Sequence, residues 1–290
     1  MDRLKTSKLF VLIIVVTSSL AFSVYAFSEN AVFSNPQGSE ERDTPPNTPK
    51  ALCEALIQKE LVDLCRNLKL EDLPSIKGLK TEDLILFVKE AQDPIETFRN
   101  PENFQKMTNK PERLVRKLGF RDVDQLKNVR AGAALVVKRV ELDKLINFTS
   151  GDNPDDFMQF ANRMIVPLII SEKDGTVKQA LSSITFGLFT EGNEWRWTRR
   201  GAPNRTRKIN EYRKNSQELM EIPGLNLLFL VSRENGEMGL ISLYDAKFEN
   251  VDLKAGVKQP ATKILLELVN EAKRFDPLKA PSPGSRLPVH

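Results

Sequence analysis

The chain has 290 residues, of which 40% are hydrophobic and 28% are charged, and its formal net charge is +4. This composition is too apolar for a disordered chain and too polar for a protein with several membrane spans. The single histidine is His290. Catalysis through a Ser-His-Asp or Cys-His arrangement and zinc binding through histidine are therefore not expected.

The first 26 residues have the pattern of an export signal. Basic residues precede an apolar run over residues 9–16, and Val24 and Ala26 occupy the positions where a signal peptidase requires small side chains. Residues 9–26 also reach the lower limit of about 17–25 residues for a spanning helix. We therefore expect an extracytoplasmic protein, periplasmic or secreted, whose residues 1–26 are either removed or kept as a membrane anchor.

The remaining chain divides into four parts by composition. Residues 27–47 are polar and proline-containing, which predicts a disordered tether, and the proline-rich residues 277–290 predict a disordered tail. Helical patterns dominate residues 48–130, and strand patterns begin after them. Residues 131–276 are therefore predicted to form an α+β sheet domain.

The two cysteines lie within one apparent helix. Thr48 is a suitable N-cap, and leucines recur at helical spacing as far as Asn67. In a continuous helix Cys53 and Cys65 would be separated by about 18 Å, whereas a disulfide needs α-carbons within about 7 Å. We therefore expect two unpaired core cysteines; the alternatives are a disulfide between them, if this helix is broken, and an intermolecular pairing.

Further helix signals follow. Thr81 is expected to begin a helix that Asp93-Pro94 ends, and Pro111 is expected to open a short helix. Residues 202–221 and 261–275 have helical spacing as well.

Two similar segments of the second half predict β-hairpins. Each is an apolar strand, a short charged stretch, a turn dipeptide and a second apolar strand; the dipeptides are Asp174-Gly175 and Asn235-Gly236. Such dipeptides favour the type I′ turn, which needs positive φ twice. The predicted architecture is a mainly antiparallel sheet with packing helices. It resembles cystatin-like and NTF2-like sheets in topology alone, and this resemblance implies no function.

Residues 195–214 form a basic stretch with eight lysines and arginines against Glu211 alone. Guanidinium groups bind phosphate or carboxylate in bidentate fashion, and tryptophan faces stack on cations. In an exported protein, anionic lipid is a more suitable target than nucleic acid. The alternative is a solvated face whose charges meet acids elsewhere, such as Asp152, Asp155 and Asp156. The candidate ligand-binding residues are Trp195, Trp197, Arg199, Arg200, Arg205 and Arg207.

Other motifs predict no metal, cofactor or catalytic residue. The acidic run at Asp152 lacks the glycine of a calcium loop, because Phe157 stands at the sixth position, and it is better explained as a helix start capped by Asn153 or Asp152. Ser182 and Ser183 have no histidine as a base and are expected to pack in a strand. Only paired-carboxylate chemistry remains open to an enzyme.

The leading hypothesis is an exported or membrane-anchored, non-catalytic binding or accessory protein. Its partner would be a protein, a peptide or a small ligand in an apolar groove near Phe186, Phe189, Trp195 and Trp197. The alternative is peripheral binding to anionic lipid or an acidic polymer through residues 195–214, with nucleic acid not expected. A second alternative is a carboxylate-based hydrolase.

Overall fold

The structure, a computed structural model, describes residues 52–74, 76–106, 110–171, 177–189, 191–192, 194–214 and 216–275. The expected export segment (1–26), tether (27–47) and tail (277–290) lie outside the described residues, as does the Asp174-Gly175 turn. No helix in the described ranges combines the length and the apolar composition needed to cross a membrane.

In the described residues, helices precede the sheet, interrupt it and follow its last strand. Their bounds are α1 Lys59–Asn67, α2 Thr81–Arg99, α3 Pro101–Lys106, α4 Pro111–Lys117, α5 Leu142–Leu145, α6 Pro154–Phe157, α7 Pro203–Tyr212 and α8 Ala261–Arg274. The α6 helix begins as expected, since the Asn153 side chain accepts a hydrogen bond from the Asp155 amide.

The longest helix, α2, starts where the sequence predicts and ends later. Thr81 is its first residue, and the Asp83 carboxylate accepts a hydrogen bond from the Lys80 backbone amide at 2.8 Å. The predicted end at Pro94 is wrong, because the helix continues to Arg99. Ile95 and Phe98 after the proline are buried, and their packing outweighs the hydrogen bond that proline removes.

The prediction of unpaired cysteines is also wrong. The α1 helix begins at Lys59, and residues 52–55 form turns before it. This break brings Cys53 and Cys65 together, with their α-carbons 5.6 Å apart, and they form a disulfide. Both cysteines are completely buried.

The strands are β1 Val129–Ala131, β2 Leu135–Arg139, β3 Gln159–Ser171, β4 Val177–Phe189, β5 Glu194–Gly201, β6 Glu218–Ile222, β7 Leu227–Glu234, β8 Glu237–Ser242, β9 Ala246–Lys247, β10 Asp252–Leu253 and β11 Lys258–Pro260. Most belong to one sheet in the order β11-β8-β7-β6-β2-β3-β4-β5, with β1 on β3. The pairing is antiparallel except between β2 and β6, which are parallel. The predicted α+β class with a mainly antiparallel sheet is confirmed.

Both predicted hairpins contribute to this sheet. β3 pairs with β4, and β7 pairs with β8. The Asn235-Gly236 turn has φ values of 54° and 80°, as a type I′ turn requires.

Helices cover the two faces of the sheet unequally. We call the face that carries Val136, Met164 and Phe186 the helical face, because their core includes buried residues of α1, α2 and α4. A second core on the same face packs α8 against β6–β8. We call the opposite face the open face; its smaller core includes Leu135 and, from α7, Ile209.

A network of four charged side chains lies on the helical face between its two apolar cores. Lys138 Nζ lies 2.5 Å from a Glu218 oxygen, and both residues are nearly fully buried. Arg233 donates from Nε to Glu218 at 2.6 Å and from its terminal nitrogens to Asp155 at 2.7 and 2.6 Å. The hydrogen bond from Arg233 holds the pKa of Asp155 below its usual range. Each charge is therefore compensated by an opposite one.

The glycine of the β7–β8 turn should contribute to stability through conformation alone. A Cβ at Gly236 would meet no atom within 4 Å, but its φ is +80°. We expect Gly236→Ala to lower the free energy of unfolding by about 1–2 kcal/mol, measured by urea unfolding, because L-residues are disfavoured in this region. Gly151 is the matched control: it also has open space but no left-handed φ, so Gly151→Ala should cause no loss. Equal losses in both variants would contradict this explanation.

Candidate functional site

The candidate residues centre on β5, a strand at the end of the sheet that pairs with β4. Phe186 opposes Trp197 and Thr185 opposes Arg199, so Thr198 is an extra residue that forms a β-bulge. The bulge changes the alternation of the strand. Trp197 and Arg200 consequently lie on the helical face together, whereas Arg199 lies on the open face.

Trp195 belongs to the core. Its exposed fraction is 3%, its indole Nε1 donates to the Asp83 carbonyl at 2.8 Å, and its ring lies 5.0 Å from that of Phe87. Phe186 is buried in the same cluster. Helix α2 thus covers the region where the sequence suggested an apolar groove, and Trp195 is not accessible to a ligand.

The other aromatic residues of this region are exposed and lie beneath arginines. Trp197 is 42% exposed, and the Arg200 guanidinium lies 4.6 Å from the centre of its ring. Phe189 is 45% exposed, and Arg196 lies 5.3 Å from its ring centre while pairing with Glu194 at 2.6 Å. Each face of the β5 edge therefore carries a cation on an aromatic ring.

Arg205 lies largely buried where α7 packs against β4. Its Nη2 lies 3.5 Å from the Thr185 hydroxyl, and its Nε is buried without a hydrogen-bond partner among the described atoms. Burial lowers the pKa of Arg205, and the positive charges of Arg199 and Arg163 lower it further. A guanidinium nevertheless remains charged at neutral pH, so three positive charges converge on the open face.

Acidic side chains on the open face compensate these charges only in part. Glu221 forms ion pairs with Arg163 and, at 2.9 Å, with Arg139. The Arg199 side chain forms no hydrogen bond or ion pair with the described residues. We call the group of Arg163, Arg199 and Arg205 the arginine cluster.

The remaining members of the basic stretch have local roles. Arg207 is exposed and donates to the Asn204 side chain at 2.6 Å. Arg213 donates to the carbonyls of Ala133 and Ser216 at 2.7 Å each, and burial lowers its pKa to about 10. Arg213 thus joins α7 to the start of β2 and is not part of a binding surface.

Two of the three acids named above as alternative partners of this stretch have other contacts. Asp155 belongs to the network with Lys138 and Arg233, and Asp152 accepts hydrogen bonds from Thr149. These described contacts do not neutralise the basic stretch.

Two carboxylates do converge, but in a form unsuited to acid–base catalysis. Asp155 and Glu218 are both paired with Lys138 and Arg233. A general acid needs a raised pKa, whereas the pKa of Asp155 is lowered. Within the described ranges, no group of three or more metal-ligating side chains is present.

The arginine cluster could be predicted from the sequence only in part. Arg199 and Arg205 belong to the basic stretch, whereas Arg163 is an isolated basic residue in an apolar strand. Its nearness to Arg205 depends on the pairing of β3 with β4 and on the docking of α7. The only available signal for Arg163 was its place directly before Met164 in a predicted strand. Neighbouring side chains of a strand lie on opposite faces, and Met164 is buried in the core.

Comparison with known proteins gives no relative: no family model, no curated protein and no solved structure matches the chain.

Proposed function

We propose that this chain is a non-catalytic binding protein that acts outside the cytoplasm and holds an anionic partner on the arginine cluster and the adjoining part of β5. The observation that supports this proposal most strongly is the Nε of Arg205, which is buried without a partner and lies near two further cations. A buried donor left without a partner is costly. The charge of this guanidinium is thus poorly compensated within the described residues, and an oxyanion bound beside the arginine cluster would balance it.

Charge repulsion supports the same ligand class. Three guanidinium groups close together destabilise one another unless anions compensate them, and Glu221, which pairs with Arg163, is shared with Arg139. Phosphate and carboxylate oxygens match the planar fork of arginine. The shared chemistry is therefore that of an oxyanion, whether it belongs to a lipid headgroup or to a soluble acidic polymer.

Two features support an extracytoplasmic location. The first 26 residues have the composition of an export signal. The Cys53–Cys65 disulfide is of a kind that persists in oxidising compartments such as the periplasm or the cell exterior.

The proposal predicts binding to anions that depends on charges of β5. The purified protein would be mixed with phosphatidylglycerol vesicles, phosphatidylcholine vesicles and polyglutamate at low and high salt. We expect the protein to bind at least one anionic probe and not to bind phosphatidylcholine vesicles. Its affinity for the anionic probe should fall at high salt, because salt screens the charges. Arg199→Gln combined with Arg200→Gln should reduce the affinity about tenfold or more.

The control removes the same charge from another surface. Lys59 and Arg66 are exposed on α1, and Lys59→Gln combined with Arg66→Gln should leave binding nearly unchanged. An equal loss in both double variants would show that net charge alone matters. If the protein bound none of the anionic probes, the proposed function would be excluded.

A further inference from the structure

The outer edge of β5 is open in the described part of the chain. β5 is the last strand of the sheet order and pairs only with β4. It has eight residues, whereas the opposite edge strand, β11, has three. The unpaired backbone groups of such an edge can accept another strand.

Both faces of this edge are positively charged. Arg196 and Arg199 oppose Gly187 and Thr185 and lie on the open face, whereas Arg200 opposes Ile184 and lies on the helical face. Side chains of an added strand alternate between faces, so acidic residues would meet a guanidinium on either side. Charges on an edge commonly repel other chains, but β5 carries four arginine or glutamate charges of which three are positive, with Glu194 paired to Arg196, so the edge attracts a strand of negative charge.

Apolar side chains provide further contact area at the same edge. Among the described residues only five large apolar side chains are exposed, and Phe189 and Trp197 are two of them. One lies on each face, with an arginine over its ring. An added strand with acidic and aliphatic side chains on each of its faces would lie beside Trp197, and Phe189 lies one strand further in, on β4.

A second copy of this chain does not fit the edge. Pairing of two β5 strands would bring Arg196, Arg199 and Arg200 of one copy close to the same residues of the other. Like charges on facing strands are destabilising. The charge of the edge therefore favours a partner of different composition.

We propose that the outer edge of β5 binds an extended acidic polypeptide segment as an additional strand of the sheet. This inference rests on the proposed function and specifies its partner. Backbone hydrogen bonds to β5 would contribute affinity, and Arg196, Arg199 and Arg200 would select acidic side chains. The rings of Phe189 and Trp197 would favour aliphatic residues between them.

The test uses the protein with two fluorescent peptides of two Glu-Glu-Val-Val repeats, which carry acidic and aliphatic side chains on both faces of an extended strand. The first has ordinary amides, and the central amides of the second are all N-methylated, so that it keeps its side chains but loses its donors. We expect the first peptide to bind and the second to bind at least about tenfold more weakly. Hydrogen exchange of the β5 amides should become slower with the first peptide only.

The outcomes separate this inference from the proposed function. Equal binding of both peptides, without protection of β5, would overturn strand addition and leave anion binding intact. Binding to phosphatidylglycerol vesicles without binding to either peptide would overturn the polypeptide partner. Dimerisation through β5 in the absence of peptide would also overturn the proposal that this edge binds an acidic polypeptide. If neither the peptides nor any other anionic probe bound to the protein, both proposals would be overturned.

Discussion

Replacement of Glu218 by alanine is expected to lower the free energy of unfolding by about 3–5 kcal/mol. Glu218 is nearly fully buried and pairs with Lys138 and Arg233. Its removal leaves the buried Lys138 ammonium with only the longer contact to Asp155, at 3.4 Å. Urea unfolding followed by circular dichroism would measure the loss.

Glu234 provides a matched control for Glu218→Ala on the neighbouring strand. It is an exposed acid that pairs with Lys258 at 2.9 Å, and exposed ion pairs contribute little to stability. Glu234→Ala should change the unfolding midpoint only slightly. Replacement of both Lys138 and Glu218 by methionine should recover much of the lost stability, since no buried charge of that pair then remains uncompensated. A similar loss for Glu218→Ala and Glu234→Ala would show that the buried network is not stabilising.

Removal of the disulfide is expected to cost about 2–4 kcal/mol. The bond joins residues 12 positions apart, and without it the unfolded chain gains conformational freedom in this loop. Alanine is the suitable replacement because both cysteines are completely buried among leucines. Urea unfolding of Cys53→Ala/Cys65→Ala would give the loss directly.

A reducing agent distinguishes the disulfide from simple packing. It should lower the stability of the wild-type chain toward that of the double-alanine variant and leave the variant unchanged. A wild-type chain that is equally stable with and without reductant, under denaturing conditions in which the thiols are accessible, would show that the bond is absent.

Local signals in the sequence predicted those elements whose cause is itself local. The Asn235-Gly236 turn needs only two residues that tolerate positive φ, and the start of α2 needs only a carboxylate near its first amides. The end of α2 was missed because burial of Ile95 and Phe98 overrides the proline. β6 was missed because residues 202–221 have helical spacing, although residues 218–222 are in fact a strand.

The candidate site was predictable only where its residues are neighbours in the chain. Trp195 and Trp197 share one face of β5, as the alternation indicates, but only the position of α2 decides that the first is buried and the second exposed. Arg163 reaches the arginine cluster through strand pairing, and the partners of Arg233 come from α6 and β6. Such contacts depend on topology, which no short pattern encodes.

The parallel pairing of β2 with β6 has a consequence for how the sheet finds its alignment. This seam joins two halves that hairpins build separately, and no turn holds its strands in register. An ion pair marks each face of the seam: Lys138 with Glu218 on the helical face and Arg139 with Glu221 on the open face. A slip of β6 by one residue would move Glu218 to the open face and Glu221 to the helical face, away from Lys138 and Arg139. The two ion pairs can therefore form together only in the observed register of β2 with β6, and they disfavour the registers shifted by one residue.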